Sequence, residues 1–243
     1  MFELYIANKN YSSWSLRPWL LMQHLAIPFT EHLVTFADHD SFSRFRSFSP
    51  SGKVPCLIQN AGHPGSDSEL KHVVIWDSLA ITEYLYENYN AVWPADKGSR
   101  AWARCASAEI HANFNALRSV CSMNCGLRIQ LHAQSPALIR DLARLDELLN
   151  EGLTTFGGPF LAGPTFTAVD AFYAPVAFRL QSYGISLSAS AMQYINLLLS
   201  LPGMQTWYQQ ALAEPWIDQA HDEEIGQYGK ITADLRHGLV KSV

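Results

Sequence analysis

Three short stretches carry side chains that can hold charge or activate a nucleophile. The first, NKNYSSWSLRPW over residues 8–19, crowds Tyr11, Ser12, Ser13 and Ser15 ahead of a helical apolar run. Pro18 belongs in the first turn of that helix, because deeper in it would remove a hydrogen bond and clash with the preceding turn. The helix is therefore predicted to begin between Ser12 and Ser15, with the hydroxyls at its positive end. A thiol held there, with a pKa of roughly 8.5 in a free peptide, would shift toward thiolate. A single serine cap with the others in the loop explains the cluster equally simply.

The second stretch is Val54-Pro55, inside the apolar run SGKVPCLIQN. A cis bond would turn the N–H and C=O of Val54 outward to meet an extended peptide. A proline at the start of an edge strand is the alternative. The third is Asp77-Ser78, where a strand-like run meets a helix. Both residues are good N-caps, and capping alone accounts for them. The same helix start would also receive a carboxylate, while Asp77 would receive an ammonium.

The elements around these stretches follow from hydrophobic period. LYIA (4–7) and HLVTF (32–36) alternate like strands around a helix over 16–26, a βαβ opening that requires a parallel pair. The runs 49–60 and 72–77 have no helix between them and read as an antiparallel hairpin with a long tip over 61–71. A helix over 78–89 completes a thioredoxin-like order. Residues 91–99 read as a linker, after which strand signals vanish. Helices are predicted over 100–128, 135–153, 167–183, 188–200 and 203–213, with Ser135-Pro136 opening one and a Thr167/Asp170 capping box, stapled by Phe166, opening another. The expected division is a thioredoxin-like unit over 1–90 and an all-helical unit over 100–243.

Composition narrows the partners. A net charge of −5 without a basic block argues against nucleic acid or an anionic membrane. The N-terminus lacks a signal-peptide pattern, and no apolar run reaches the ~18 residues that span a bilayer, so a cytoplasmic protein is expected. Cys56, Cys105, Cys121 and Cys125 show no paired spacing; Cys121 and Cys125 stand one turn apart, but nothing nearby supplies the further ligands a metal would need. No metal is expected. The 7 Trp, 10 Tyr and 12 Phe point to large buried clusters or aromatic pocket walls.

In a thioredoxin-like layout the three stretches lie along one edge, where a single ligand with a central thiol, peptide groups and an amino-acid end would touch all of them. Glutathione has that shape. Through SSWSLRPWLL, SGKVPCL, WDSLAITEYL and FLAGPTFTAVDAFYAP, the chain resembles the cytosolic glutathione transferase family over nearly its whole length. The SSxSxR pattern resembles the serine-type, zeta-like members, whose catalytic serine stands five before the arginine; here Arg17 points to Ser12.

The resemblance implies a glutathione-dependent transferase acting on a small hydrophobic or unsaturated electrophile, and a homodimer. Ser12 would donate to the sulfur, with Ser13 and Ser15 in reserve. Val54, ahead of cis-Pro55, would pair with the cysteinyl backbone, Asp77 and Ser78 would hold the γ-glutamyl end, Lys53 would neutralise the glycyl carboxylate, and Ser13 would belong to the glutathione-binding set. His111, Asn115 and Arg118 recur at helical spacing, with Phe114 beside them, and would form the second-substrate site together with Trp14 as a wall. A zeta-like isomerase, and a ligand carrier or docking module on the same fold, are the other readings. The long 61–71 tip and a Trp at position 14 depart from the zeta-like pattern.

Overall fold

A computed structural model of the chain describes residues 1–36, 41–60 and 72–237. Its N-terminal half holds β1 (Phe2–Ile6), α1 (Ser13–His24), β2 (Phe29–Leu33), a short α2 (Ser41–Arg46), β3 (Cys56–Asn60), β4 (His72–Trp76) and α3 (Ser78–Tyr86). The sheet order is β2-β1-β3-β4, with β1 parallel to β2 and the β1–β3 and β3–β4 pairs antiparallel. The expected parallel opening and antiparallel hairpin are both present; the hairpin tip over 61–71 lies outside the described residues. Phe2, Leu4 and Ile6 alternate inward from β1 onto α1, so the period of two fixes which face is core.

The second half runs α4 (Lys97–Ala112), α5 (Asn115–Val120), β5 (Leu127–Leu131), α6 (Pro136–Phe156), α7 (Ala168–Tyr183), α8 (Ala189–Ser200), α9 (Pro202–Leu212), α10 (Gln219–Tyr228) and β6 (Gly229–Asp234). The opening of α6 is as expected, since Ser135 Oγ accepts the Leu138 N–H at 3.2 Å and Pro136 takes the first helical position. Nearly every side chain of α7 is buried, as befits a helix that is apolar all round, and it packs against α1, α4, α8 and β5. It is the axis on which the two halves meet.

Three expectations are corrected. Pro18 is not in the first turn of α1; it is the sixth residue of the helix and removes the donor that the Trp14 carbonyl would otherwise meet. The helix starts at Ser13 nonetheless, because the Ser12 carbonyl accepts the Leu16 N–H at 3.2 Å and burial of the apolar body outweighs one lost bond. The single helix expected over 100–128 is interrupted: Phe114 adopts a left-handed backbone with φ of 58°, separating α4 from α5. The second half is also not purely helical. Residues 127–131 alternate as a strand and pair antiparallel with β6.

Asp170 welds this half together. Its buried carboxylate accepts the N–H of Thr167 at 2.9 Å, the N–H of Leu161 at 3.0 Å and the hydroxyl of Tyr194 at 3.0 Å. Burial pushes its pKa from 3.8 up to about 6 in spite of these bonds. A folded-state pKa above the unfolded one means that the native state binds the proton more tightly. The stability this contributes is full below about pH 4 and is lost as pH rises through about 6. In urea unfolding between those limits, the wild type should lose stability relative to Asp170→Asn by on the order of 2 kcal/mol.

Candidate functional site

Two adjoining cavities open beside the start of α1. The larger, about 700 Å³, is lined by Tyr11, Ser12, Ser13, Trp14, Asn115 and Arg118, with Arg179 of α7 and residues of α10 on its far side. The smaller, about 470 Å³, is lined by Ser51, Pro55, Trp76, Asp77 and Ser78. Trp14, Lys53 and Val54 line both. The three stretches singled out in the sequence therefore share one groove.

The groove offers distinct chemistry along its length. The Val54-Pro55 bond is cis, and neither the N–H nor the C=O of Val54 meets a hydrogen-bond partner among the described residues. Asp77 has φ of 76° and caps α3, its Oδ1 accepting the Leu79 N–H at 2.8 Å while the rest of the carboxylate stays exposed. The Ser78 hydroxyl is buried beneath it, 3.5 Å from Arg17 Nη1. Lys53 is exposed at the common wall.

Behind this wall lies a cluster of cations with few anions. Arg17 is buried between the faces of Trp14 and Phe172, 4.2 and 4.8 Å from their ring centres, and its Nε has no hydrogen-bond partner among the described residues. Desolvation, followed by the nearby Arg179 and Arg118, lowers its pKa to about 9. His111 bridges Arg17, 3.5 Å from Nη1, to Asp77, 3.6 Å from Oδ2. Its pKa is lowered, first by burial, with Asp77 opposing and the two arginines adding to the shift.

The structure thus divides the expected second-substrate set. Asn115, Arg118 and Trp14 line the large cavity. His111 instead stands at the Asp77 end, edge-on to Trp14. Phe114 is buried in the core, because its left-handed turn points it inward. The helical spacing that grouped these residues fails at that turn. Arg118 caps the end of α4, donating to the His111 carbonyl at 2.9 Å and the Asn113 carbonyl at 3.3 Å, while its guanidinium lies 5.3 Å from the centre of Trp14.

Several lining residues escaped the sequence reading. Arg179 lies in an apolar helix with no local pattern to mark it. Trp76 ends β4, and nothing local marks it as a cavity wall. His221, Glu224, Gln227 and Tyr228 come from α10, beyond the last predicted helix. This C-terminal segment is tied to the serine turn through Tyr11, whose hydroxyl donates to Asp222 Oδ1 at 3.3 Å and accepts from Arg236 Nη1 at 2.9 Å and the Asp218 N–H at 3.2 Å. Burial and Asp222 raise the Tyr11 pKa, so the hydroxyl stays protonated. A Cβ on Gly126 would overlap Arg236, which explains glycine there. None of the four cysteines lines either cavity.

Comparison with known proteins fits this geometry. Residues 11–88 match the model for the glutathione S-transferase N-terminal domain and residues 130–210 the model for its C-terminal domain, between them more than half of the chain. The chain belongs to the glutathione S-transferase family. A glutathione S-transferase-like protein of Beauveria bassiana is 24% identical over 178 residues, 71% of this chain and 76% of that one. A glutathione S-transferase of Arabidopsis thaliana is 29% identical over 167 residues, 69% of this chain and 66% of that one.

Solved structures agree on the fold. A glutathione transferase homolog from Burkholderia, crystallised with bound glutathione, superposes with a TM-score of 0.59 at 21% identity, covering 86% of this chain and 97% of that one. A diazinon-metabolizing glutathione S-transferase of the silkworm Bombyx mori gives 0.65 at 17% identity, covering 87% and 97%. Among the described residues no helix is long and apolar enough to cross a membrane.

The Tyr11 hydroxyl is the pivot holding the C-terminal segment against the site. Tyr11→Phe should cost about 1–2 kcal/mol and speed amide hydrogen exchange across residues 218–237 while leaving α7 protected, as read by mass spectrometry.

Proposed function

We propose that the protein is a glutathione transferase that binds glutathione along the two cavities, stabilises its thiolate at the start of α1 and adds it to a small hydrophobic or unsaturated electrophile. The observation that carries this reading is the common wall of Trp14, Lys53 and Val54. It joins a cleft with an amino-acid-binding character, Asp77 and Ser78, to a cavity bordered by the serine turn. A tripeptide with its γ-glutamyl ammonium at Asp77 and its cysteinyl backbone on Val54 would bring its sulfur to that turn. Lys53, exposed on the common wall, would neutralise the glycyl carboxylate.

Catalysis on this reading is nucleophile activation and proximity. The hydroxyls and the positive end of α1 favour the thiolate, and the cations behind Trp14 add to the same potential. Arg118 supplies a cation on the electrophile's side of the large cavity, which favours a substrate carrying a carboxylate or another acidic group. The names of the curated relatives and the glutathione held by the Burkholderia homolog support the ligand. A cytoplasmic homodimer belongs to the same proposal, with sedimentation as its test.

Calorimetry with glutathione decides the reading. The wild type should bind it, and Asp77→Asn, which keeps an α3 cap but removes the charge, should bind about tenfold more weakly with an unchanged melting temperature. Absence of wild-type binding would remove the proposal. Arg118→Met should lower kcat/KM for an acidic electrophile by at least about fivefold relative to a neutral one; equal losses would take Arg118 out of substrate selection.

A further inference from the structure

The start of α1 offers two hydroxyls to the large cavity, and their surroundings differ. Ser12 Oγ donates inward to Ser15 Oγ at 2.7 Å, and Ser15 Oγ in turn accepts the Ala7 N–H at 3.3 Å. The Ser12 proton is thereby spent within the protein. Ser13 has the opposite arrangement. Its Oγ accepts from Arg179 Nη2 at 3.3 Å, and its own proton has no acceptor among the described residues. Ser13 also lines both the large cavity and a narrow pocket beneath Trp14, where Arg17, Arg118 and Arg179 converge without a lining carboxylate.

Arg179 is well placed to impose that arrangement. It is buried in α7 and forms no ion pair among the described residues; its Nη1 donates to the carbonyls of Arg118, at 3.1 Å, and Cys121. With Nη1 held by two carbonyls, Nη2 stays turned to Ser13, so the Ser13 oxygen is kept as an acceptor. A hydroxyl that accepts a charge-assisted bond is also polarised into a stronger donor on its remaining side. Burial lowers the Arg179 pKa to about 10, which leaves the cation intact at neutral pH.

Resting on the glutathione reading above, the geometry points to Ser13 as the catalytic hydroxyl that donates to the sulfur of bound glutathione, and to Arg179 as the residue that positions it. When the S–H bond breaks, its proton passes to solvent, the sulfur keeps the electron pair, and the Ser13 O–H donates to it. Ser12 supports the turn through Ser15. This departs from the assignment that the spacing to Arg17 implies.

The test is a pH titration of the thiolate ultraviolet absorbance of the protein saturated with glutathione, with calorimetry confirming saturation. Ser13→Ala should retain glutathione and carry about tenfold less thiolate at neutral pH. Ser12→Ala should lose about threefold or less. Arg179→Met should lower the thiolate as Ser13→Ala does, with no further loss in the double variant, and Arg179→Lys should recover part of it.

A larger loss in Ser12→Ala than in Ser13→Ala would overturn the assignment while leaving the glutathione reading standing. Additive losses in the double variant would overturn the positioning role of Arg179. Failure of the wild type to bind glutathione would overturn the parent reading, and this inference with it. Should Arg179→Met fail to fold, the two serine variants still decide which hydroxyl acts.

Discussion

Two guanidiniums, Arg17 of α1 and Arg179 of α7, are buried where the two halves of the protein meet, and neither has a carboxylate in ion-pair contact among the described residues. Removing such a charge from water is costly unless other groups compensate. Here the compensation comes from aromatic faces, backbone carbonyls and serine hydroxyls. Each of those groups is held in place by the need to satisfy the cation. The seam is therefore held at the point where α1 presents its first turn, and it carries a positive potential that Asp77 offsets only in part.

That constraint organises the groove. Trp14 lies over Arg17 and divides the two cavities, so its position is fixed by cation–π contact as much as by packing. Arg118 closes the break between α4 and α5 and brings a further cation to the same ring. On the outer side, Tyr11 binds the C-terminal segment through Asp222 and Arg236, so that α10 forms part of the large cavity's wall. A site built on the start of one helix thus draws on α3, α5, α7 and α10. Such breadth suits a groove that holds an extended ligand on one side and a separate small molecule on the other.

Much of the scaffold was legible because it obeys simple periods. The alternation in β1, the turn-rich gap between β3 and β4, and the Ser135-Pro136 opening of α6 all mark their elements locally. By contrast, β2 begins three residues ahead of the expected 32–36, because its exposure follows no period of two. The sites at Val54-Pro55 and Asp77-Ser78 could be read as a group because a thioredoxin-like order brings them to one edge.

What was missed depends on contacts far apart in the chain. The left-handed turn at Phe114 breaks a run whose spacing is helical, and it sends Phe114 to the core and His111 to Asp77. β5 straddles the end of that run at residue 128, although Leu127, Ile129 and Leu131 alternate with polar residues and were open to a period-two reading. Arg179 sits in an apolar helix, and only the fold shows that it meets Ser13. The direction of the Ser12 proton likewise depends on Ser15 and the Ala7 N–H just past β1, which no spacing rule encodes.

The central claim is that one groove, joined at Trp14, Lys53 and Val54, holds a thiol tripeptide with its sulfur at the positive start of α1. A crystal structure of the protein soaked with glutathione tests it most directly. The account predicts the γ-glutamyl group at Asp77 and Ser78, the cysteinyl backbone on Val54, and the sulfur within hydrogen-bond reach of the serine turn. A tripeptide lying wholly against α10, or with its sulfur turned away from α1, would contradict it.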